Sequence, residues 1–377
     1  MTPPMRVLHV LPDLGTGGGQ MLVLELAKAL RPHAEVEVAF LGGPEDLRQD
    51  FERCGVPVHR LLASGCWPRA RATLTLVRLT RNRAIDVLHA HSSPDKHITQ
   101  AAGLITRRPV IAHLHVWRDH AHRDQGMTRR VRSWARRLAG LLTVRCYIAI
   151  SESVMAANVS TIARANHRLV LVRNGISLAP YQSSARSSRG SMTNDGPVLL
   201  WVGRFSSEKD VPLLVKMMSF LRDSHPSARL LLAGEGPQRS RIQEEVAYLG
   251  LEATVIFLGR RTDIPTIMAT ADVFVFSSIS EGFGLAVAEA QAAGLPVVAC
   301  RIPALEEIVE DDVTGVLVSS RNPYEMAESV RCLLEDNARR LAMGRAARRR
   351  AHELFDITCT AAQLLAVYRR FVGRANV

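Results

Sequence analysis

Short apolar runs, each followed by a longer amphipathic segment, recur along almost the whole chain, and this alternation limits the architectures open to it. The runs at 5–11 (MRVLHVL), 35–41, 56–61, 85–90, 109–115, 146–150 and 169–173 have strand length. Segments with helical spacing lie between them, at 19–31, 68–82, 95–106 and 127–142 among others. Strands that pair in parallel need a long crossover, which a helix supplies, so strand and helix in strict alternation predict a parallel β/α sheet.

The pattern stops at 182–196, QSSARSSRGSMTNDG, a Ser- and Gly-rich stretch with no face to bury, which reads as a linker. A second series then begins, with strand patterns at 198–203, 228–233, 254–258, 272–276, 296–300 and 314–318. Helical patterns fill the rest from about 323, including the Arg-dense 339–350 (RRLAMGRAARRR), which reads as a solvated helix face. At 377 residues the chain exceeds one domain of roughly 150. The expected organisation is two doubly wound Rossmann-like α/β domains, at 1–181 and 197–355, with a last segment 356–377 packing back on the first domain.

Composition excludes several classes. With 47% hydrophobic and 22% charged residues the chain can fill its cores and is not mainly disordered. No apolar stretch approaches the roughly 18 residues of a membrane span. The opening MTPPMRVLHVLPDLG resembles neither a signal peptide nor a transit peptide, which predicts a cytoplasmic protein. The six cysteines form no C-x-x-C pair and read as reduced thiols. The net charge of +12 favours anionic partners. Nucleic acid would also want stacking aromatics, and these are only 5% of the chain. No nucleic-acid partner is expected.

Ligands of wound parallel sheets bind beyond the C-terminal strand ends, so the informative residues should follow strands. Three groups do. Gly15-Thr16-Gly17-Gly18-Gly19-Gln20 follows the first strand and lets backbone amides approach an anion at a helix start. It is not a nicotinamide fingerprint: Gln20 stands where the last glycine belongs, and the second strand runs into Leu41-Gly42-Gly43 where a ribose-binding acid is wanted. Arg204 and Lys209, in VGRFSSEKD, can clamp a diphosphate from two sides; Lys209 is one of only four lysines. Gly234-Glu235-Gly236-Pro237 reads first as a structural turn. The third group is SSISEGFGLAVAEAQAAGLPVVAC at 277–300. There Glu281 precedes the helix start Gly282-Phe283-Gly284-Leu285, whose free amides and positive dipole end suit a phosphate or sugar hydroxyls. Glu289 stands on the helix itself, where a carboxylate can hold the two hydroxyls of a ribose.

The Glu281-x7-Glu289 spacing, the Arg204…Lys209 pair and the glycine loop resemble glycosyltransferase family 4, as do His89-Ala90-His91, Ser151-Glu152 and Arg173-Asn174-Gly175, all in matching order from about residue 5 to 355. The resemblance implies the GT-B fold, two Rossmann-like domains facing across a cleft, and retaining transfer of a hexose-type sugar from a nucleoside diphosphate, with UDP preferred. It implies that Arg204 and Lys209 bind the diphosphate, that Glu289 binds the nucleotide ribose, and that Glu281 with the amides of 282–285 (Phe283, Gly284 and Leu285 among them) holds the sugar. Gly18 and Gly19 would approach that sugar from the other domain. His115 matches the histidine such enzymes place beside the donor sugar, and His113, two residues earlier on the same strand face, is the competing choice. The fold normally needs no metal, so the nearby His89, His91, His97, His120 and His122 are not expected to hold one, and no cofactor is expected.

The acceptor stays open between a hydroxyl of a lipid-linked or polysaccharide precursor and a small metabolite, such as an aminocyclitol in antibiotic assembly. The basic segment 127–142 carries an apolar stripe at Val131, Trp134, Leu138 and Leu141. It would suit an anionic bilayer at the inner face of the membrane, or packing on the first domain with its arginines solvated. A sugar-nucleotide epimerase or hydrolase of the same fold is the enzymatic alternative, and a nucleic-acid-binding protein the non-enzymatic one.

Overall fold

A computed structural model of the chain describes residues 4–62, 68–114, 143–162, 169–183 and 196–372. The chain divides into two compact units, the first comprising Met1–Gly175 and Ile357–Val377 and the second Ile176–Asp356. The division thus falls ahead of the polar stretch 182–196, and the short helix Ala179–Ser183 belongs to the second unit. Residues 184–195, most of that stretch, lie outside the described residues, as does the basic segment 127–142.

Among the described residues, the first unit builds one parallel sheet from β1 (Arg6–Leu11), β2 (Glu35–Phe40), β3 (Val58–Arg60), β4 (Val87–Ala90), β5 (Val110–Leu114), β6 (Val144–Ala149) and β7 (Leu169–Leu171), in the order β3-β2-β1-β4-β5-β6-β7. The second builds another from β8 (Val198–Val202), β9 (Arg229–Ala233), β10 (Val255–Gly259), β11 (Val273–Phe276), β12 (Val297–Cys300) and β13 (Gly315–Val318), ordered β10-β9-β8-β11-β12-β13. Central strands such as β4, β11 and β12 are buried at every residue, because helices cover both faces of a parallel sheet. Their Val- and Phe-rich runs satisfy that demand, each fully buried large apolar side chain contributing about 1.5–3 kcal/mol.

Each sheet reverses its winding once, between β1 and β4 in the first unit and between β8 and β11 in the second. These are the switch points where the loops leaving adjacent strands diverge and open a crevice.

The C-terminal helices serve both units. Helix Ile357–Val372 belongs to the first, packed on helix Gly18–Leu30. Helix Asn337–Leu354 belongs to the second, and its arginines are not simply a solvated face. Arg340 is buried and donates to Asn337 Oδ1 at 2.9 Å. Arg339 pairs with Asp312, and Arg350 donates to the Ile308 and Glu307 carbonyls. Arg340 also faces Asp272 at 3.8 Å, so Arg339, Arg340 and Arg350 tie the helix to its own unit. No described helix is long and apolar enough to cross a membrane.

Candidate active site

At the switch point of the second unit, the loops after β8 and β11 bring the sequence-derived candidates together. Arg204 and Lys209 lie on the loop after β8, and Glu281 on the loop after β11. Lys209 Nζ lies 2.5 Å from Glu281 Oε1, with side-chain exposures of only 20% and 11%. The ammonium also stands 5.6 Å from the centre of the Phe276 ring. Between those residues the two loops are laced by backbone and hydroxyl contacts. Ile279 N donates to the Glu208 carbonyl at 2.8 Å, and Ser277 Oγ to the Lys209 carbonyl at 2.8 Å.

Arg204 is exposed and makes no ion pair among the described residues. Its charge is nonetheless felt locally. Partial burial raises the Glu208 carboxyl, but the Ser206 hydrogen bond, the residue's own amide, Lys209 and Arg204 outweigh it and hold that carboxyl below its ordinary value. Arg204 and Lys209 therefore share one electrostatic neighbourhood.

Glycines set the shape of this loop. Gly234 has φ +152, and a Cβ there would stand 1.7 Å from the Gly203 carbonyl oxygen. A Cβ on Gly236 would stand 2.4 Å from the Phe205 carbonyl. The turn after β9 therefore packs backbone to backbone under Arg204, with Phe205 N donating to the Glu235 carbonyl at 3.0 Å. Beneath them Trp201 stacks on Phe205, ring centres 5.2 Å apart.

Helix Leu285–Ala292 starts at the end of the β11 loop, capped by Gly284 at φ 106. That left-handed turn suits glycine and leaves the first amides of the helix without a side-chain cap. Phe283 is buried and meets Phe355 edge-on at 5.6 Å, which anchors the loop on the core of its own unit. Leu285 opens the helix, and Glu289, half-buried, is carried on it. The second unit thus brings Lys209 and Glu281 into contact, with Arg204 on the same loop as Lys209 and with Phe283, Gly284, Leu285 and Glu289 on the segment that follows Glu281.

The first unit has its own switch-point loop. Helix Gly18–Leu30 starts at Gly18, with Gly17 as its cap and Gly19 exposed. Asp13, overlooked in the sequence, organises that loop: its Oδ1 accepts from Gly15 N at 2.8 Å and from Gln20 Nε2 at 2.9 Å. The Gln20 that broke a dinucleotide fingerprint is therefore a structural tie. After β4, Ser92 and Asp95 form a capping box on helix Ser93–Thr106, and burial raises the Asp95 carboxyl to about 6.

His115, favoured as the donor-side histidine, lies outside the described residues, as do His120 and His122. The competing His113 is buried and faces the histidine layer of its own sheet. His9, His89, His91 and His113 share one face of β1, β4 and β5. His9 Nδ1 lies 2.8 Å from His91 Nε2, His91 Nδ1 lies 3.1 Å from His113 Nδ1, and His89 Nδ1 lies 2.6 Å from Tyr368 Oη. Ligating nitrogens of His9, His89 and His91 fall within 4.8 Å of one another, a set able to offer ligands to a metal. Their ring centres lie 4.3–5.1 Å apart, and His9 Nδ1 pairs with His91, while His9 Nε2 is buried without a hydrogen-bond partner among the described residues. Burial lowers His9 from 6.5 to about 4, which keeps it neutral. Ser151 and Asn174 are also buried, and Ser151 Oγ accepts from Val154 N at 3.1 Å as a helix cap.

Comparison with known proteins agrees with this arrangement. Residues 16–179 match the family model "Glycosyltransferase Family 4", and residues 186–350 match "Glycosyl transferases group 1". The chain is 30% identical over 309 residues to a glycogen synthase of Mycobacterium tuberculosis, covering 79% of this chain and 72% of that one. It is 29% identical over 253 residues to a 2-deoxystreptamine glucosyltransferase of Streptomyces kanamyceticus, covering 65% and 64%. Its fold is like that of Anabaena Alr3699/HepE, solved in complex with UDP-glucose, with a TM-score of 0.82, 24% identity and coverage of 97% and 100%. Two parallel α/β sheets of this kind are the GT-B fold. With both halves matched and a relative at this identity, the chain belongs to glycosyltransferase family 4 and is a glycosyltransferase.

Proposed function

We propose that the protein moves a hexose-type sugar from a nucleoside diphosphate, UDP in the first instance, to an acceptor hydroxyl with retention of anomeric configuration. The observation that carries this reading is the Lys209–Glu281 pair beside the unpaired Arg204, at the mouth of an uncapped helix. Two cations and a helix start without a side-chain cap suit a pyrophosphate; a carboxylate beside them suits the hydroxyls of the sugar that pyrophosphate carries.

As the bond from the anomeric carbon to the diphosphate oxygen breaks, negative charge grows on that oxygen. Arg204 and Lys209 stabilise it, Lys209 from a half-buried position where charges interact more strongly than in bulk water. Glu281 and the amides of 282–285 hold the sugar hydroxyls, and Glu289 accepts the two hydroxyls of the ribose. The acceptor oxygen bonds to the anomeric carbon from the face the diphosphate leaves, and its proton passes to the departing diphosphate. Because Arg204, Lys209 and the helix amides meet the leaving charge, this reading assigns no metal and no cofactor to the step. The UDP-glucose complex of HepE supports the choice of nucleotide. The names of the relatives support a polyol acceptor, glucan in one and an aminocyclitol in the other.

A thermal-shift panel of nucleoside diphosphate sugars tests the donor assignment, since a ligand bound only by the folded state raises the melting temperature. UDP-hexoses are expected to raise it, whereas a panel in which none does contradicts the proposal. Donor breakdown at full rate without any acceptor would favour a hydrolase.

A further inference from the structure

Asp210, the residue after Lys209, is in the left-handed region at φ 42 and ψ 50. Glycine takes that conformation freely, whereas a side chain there is strained, least so for Asp and Asn. The carboxylate is put to use: Asp210 Oδ2 pairs with Arg321 Nη2. Arg321 lies past the end of β13, 111 residues away in sequence. The same guanidinium donates to two carbonyls of the β11 loop, to Ser277 O at 3.2 Å from Nη2 and to Ser278 O at 3.5 Å from Nη1. One planar fork therefore binds the residue that follows Lys209 and the segment that leads to Glu281. A lysine, with a single point of charge, cannot reproduce that geometry. Cys300, at the end of β12, feels the charges of both Arg321 and Asp210, which places the pair over the C-terminal ends of the strands that carry the site.

We propose that Asp210 and Arg321 are positioning residues: a clasp that fixes the Lys209 loop against the Glu281 loop and so sets the spacing of the diphosphate grip. This rests on the reading of Lys209 and Glu281 as donor-site residues. The clasp acts through the two loops it joins. Its effect is to remove the freedom of two loops that would otherwise have to be ordered when the ligand binds.

Asp210→Gly separates the clasp from backbone strain, because it removes the carboxylate while relieving the left-handed conformation. The full-length protein, its Asp210→Gly, Arg321→Gln and Arg321→Lys variants, the Asp210→Gly/Arg321→Gln double variant and Lys209→Ala are titrated calorimetrically with UDP, and their melting temperatures recorded. Asp210→Gly is expected to weaken UDP binding about tenfold while its melting temperature holds or rises. Arg321→Gln should weaken it similarly, Arg321→Lys less, and the double variant no more than the worse single change. Native UDP affinity in both Asp210→Gly and Arg321→Gln, with Lys209→Ala impaired, overturns the clasp and leaves the donor site standing. Losses that multiply in the double variant overturn it as well. Native affinity in Lys209→Ala, or no UDP binding by the parent protein, overturns the donor-site reading and the purpose of the clasp with it.

Discussion

Lys209 and Glu281 meet at 2.5 Å across the mouths of β8 and β11, although 72 residues separate them in sequence. Neither could be half-buried alone at small cost, because an unpaired charge out of water is strongly disfavoured. Each is therefore a condition of the other's placement. Lys209→Ala and Glu281→Ala should each lower the rate of sugar transfer by about a hundredfold or more, corresponding to ~3 kcal/mol in the transition state. The double variant should lose little beyond the worse single change. Steady-state kinetics with far-ultraviolet circular dichroism checks both the loss and the intact fold.

Gly234 carries the loop on which Arg204 stands. A methyl group there would overlap the Gly203 carbonyl at 1.7 Å and strain φ +152 besides. Gly234→Ala should destabilise the second unit by ~3 kcal/mol, about 10 °C in melting temperature, and weaken nucleotide binding in the fraction that folds. Gly250 has φ +62 with nothing within 4 Å of its Cβ, so Gly250→Ala should cost ~1 kcal/mol from strain alone. Calorimetric melting of the two variants side by side measures the difference.

The histidine layer of the first unit makes stability depend on pH. Burial lowers His9 from 6.5 to about 4, so as pH falls the unfolded chain takes up that proton before the folded protein does. The contribution of neutral His9 is complete above about 6.5 and drains away between 6.5 and 4, by ~3 kcal/mol. Asp95 acts in the opposite sense: raised from 3.8 to about 6, it favours the fold at low pH and loses that contribution as pH rises through about 6. The two oppose each other, so the native profile alone is uninformative. The stability difference between the native protein and His9→Asn isolates the imidazole. Urea titrations from pH 7 to pH 4 should show that difference shifting by ~3 kcal/mol in favour of the variant.

Thiol reactivity should sort by burial. Burial pushes the Cys146 thiol up to about 12 and raises Cys300 too, whereas Cys332 and Cys359 are exposed. Cys332 and Cys359 should label within minutes at pH 7.5, and Cys146 and Cys300 only on unfolding. Mass spectrometry of iodoacetamide-treated protein distinguishes them.

Much of the fold was legible because a parallel strand covered on both faces must be apolar throughout; β11 and β12 carry that demand in VFVF and VVAC. Glu281 and Glu289 stand out for the complementary reason, as acids in an otherwise small and apolar segment, and the structure pairs Glu281 with Lys209. Asp210, Arg321, Asp13 and Tyr368 were not legible. The partners of Asp210, Arg321 and Tyr368 lie far off in sequence, and nothing local marks an aspartate as left-handed, the Asp13 side chain as the tie of its loop, or a tyrosine as the partner of His89, 279 residues away. The Arg-dense helix misled for the same reason, since the partners of Arg339 and Arg350 come from 27 to 43 residues upstream.

The central claim is that two cations of the second unit hold a pyrophosphate. Calorimetric titration of the native protein and of Arg204→Ala/Lys209→Ala with UDP and, in parallel, with uridine tests it most directly, because the two ligands differ only in the phosphates. The affinity advantage of UDP over uridine should shrink by about a hundredfold in the double variant while uridine binds as before. An equal advantage in both proteins would contradict the account.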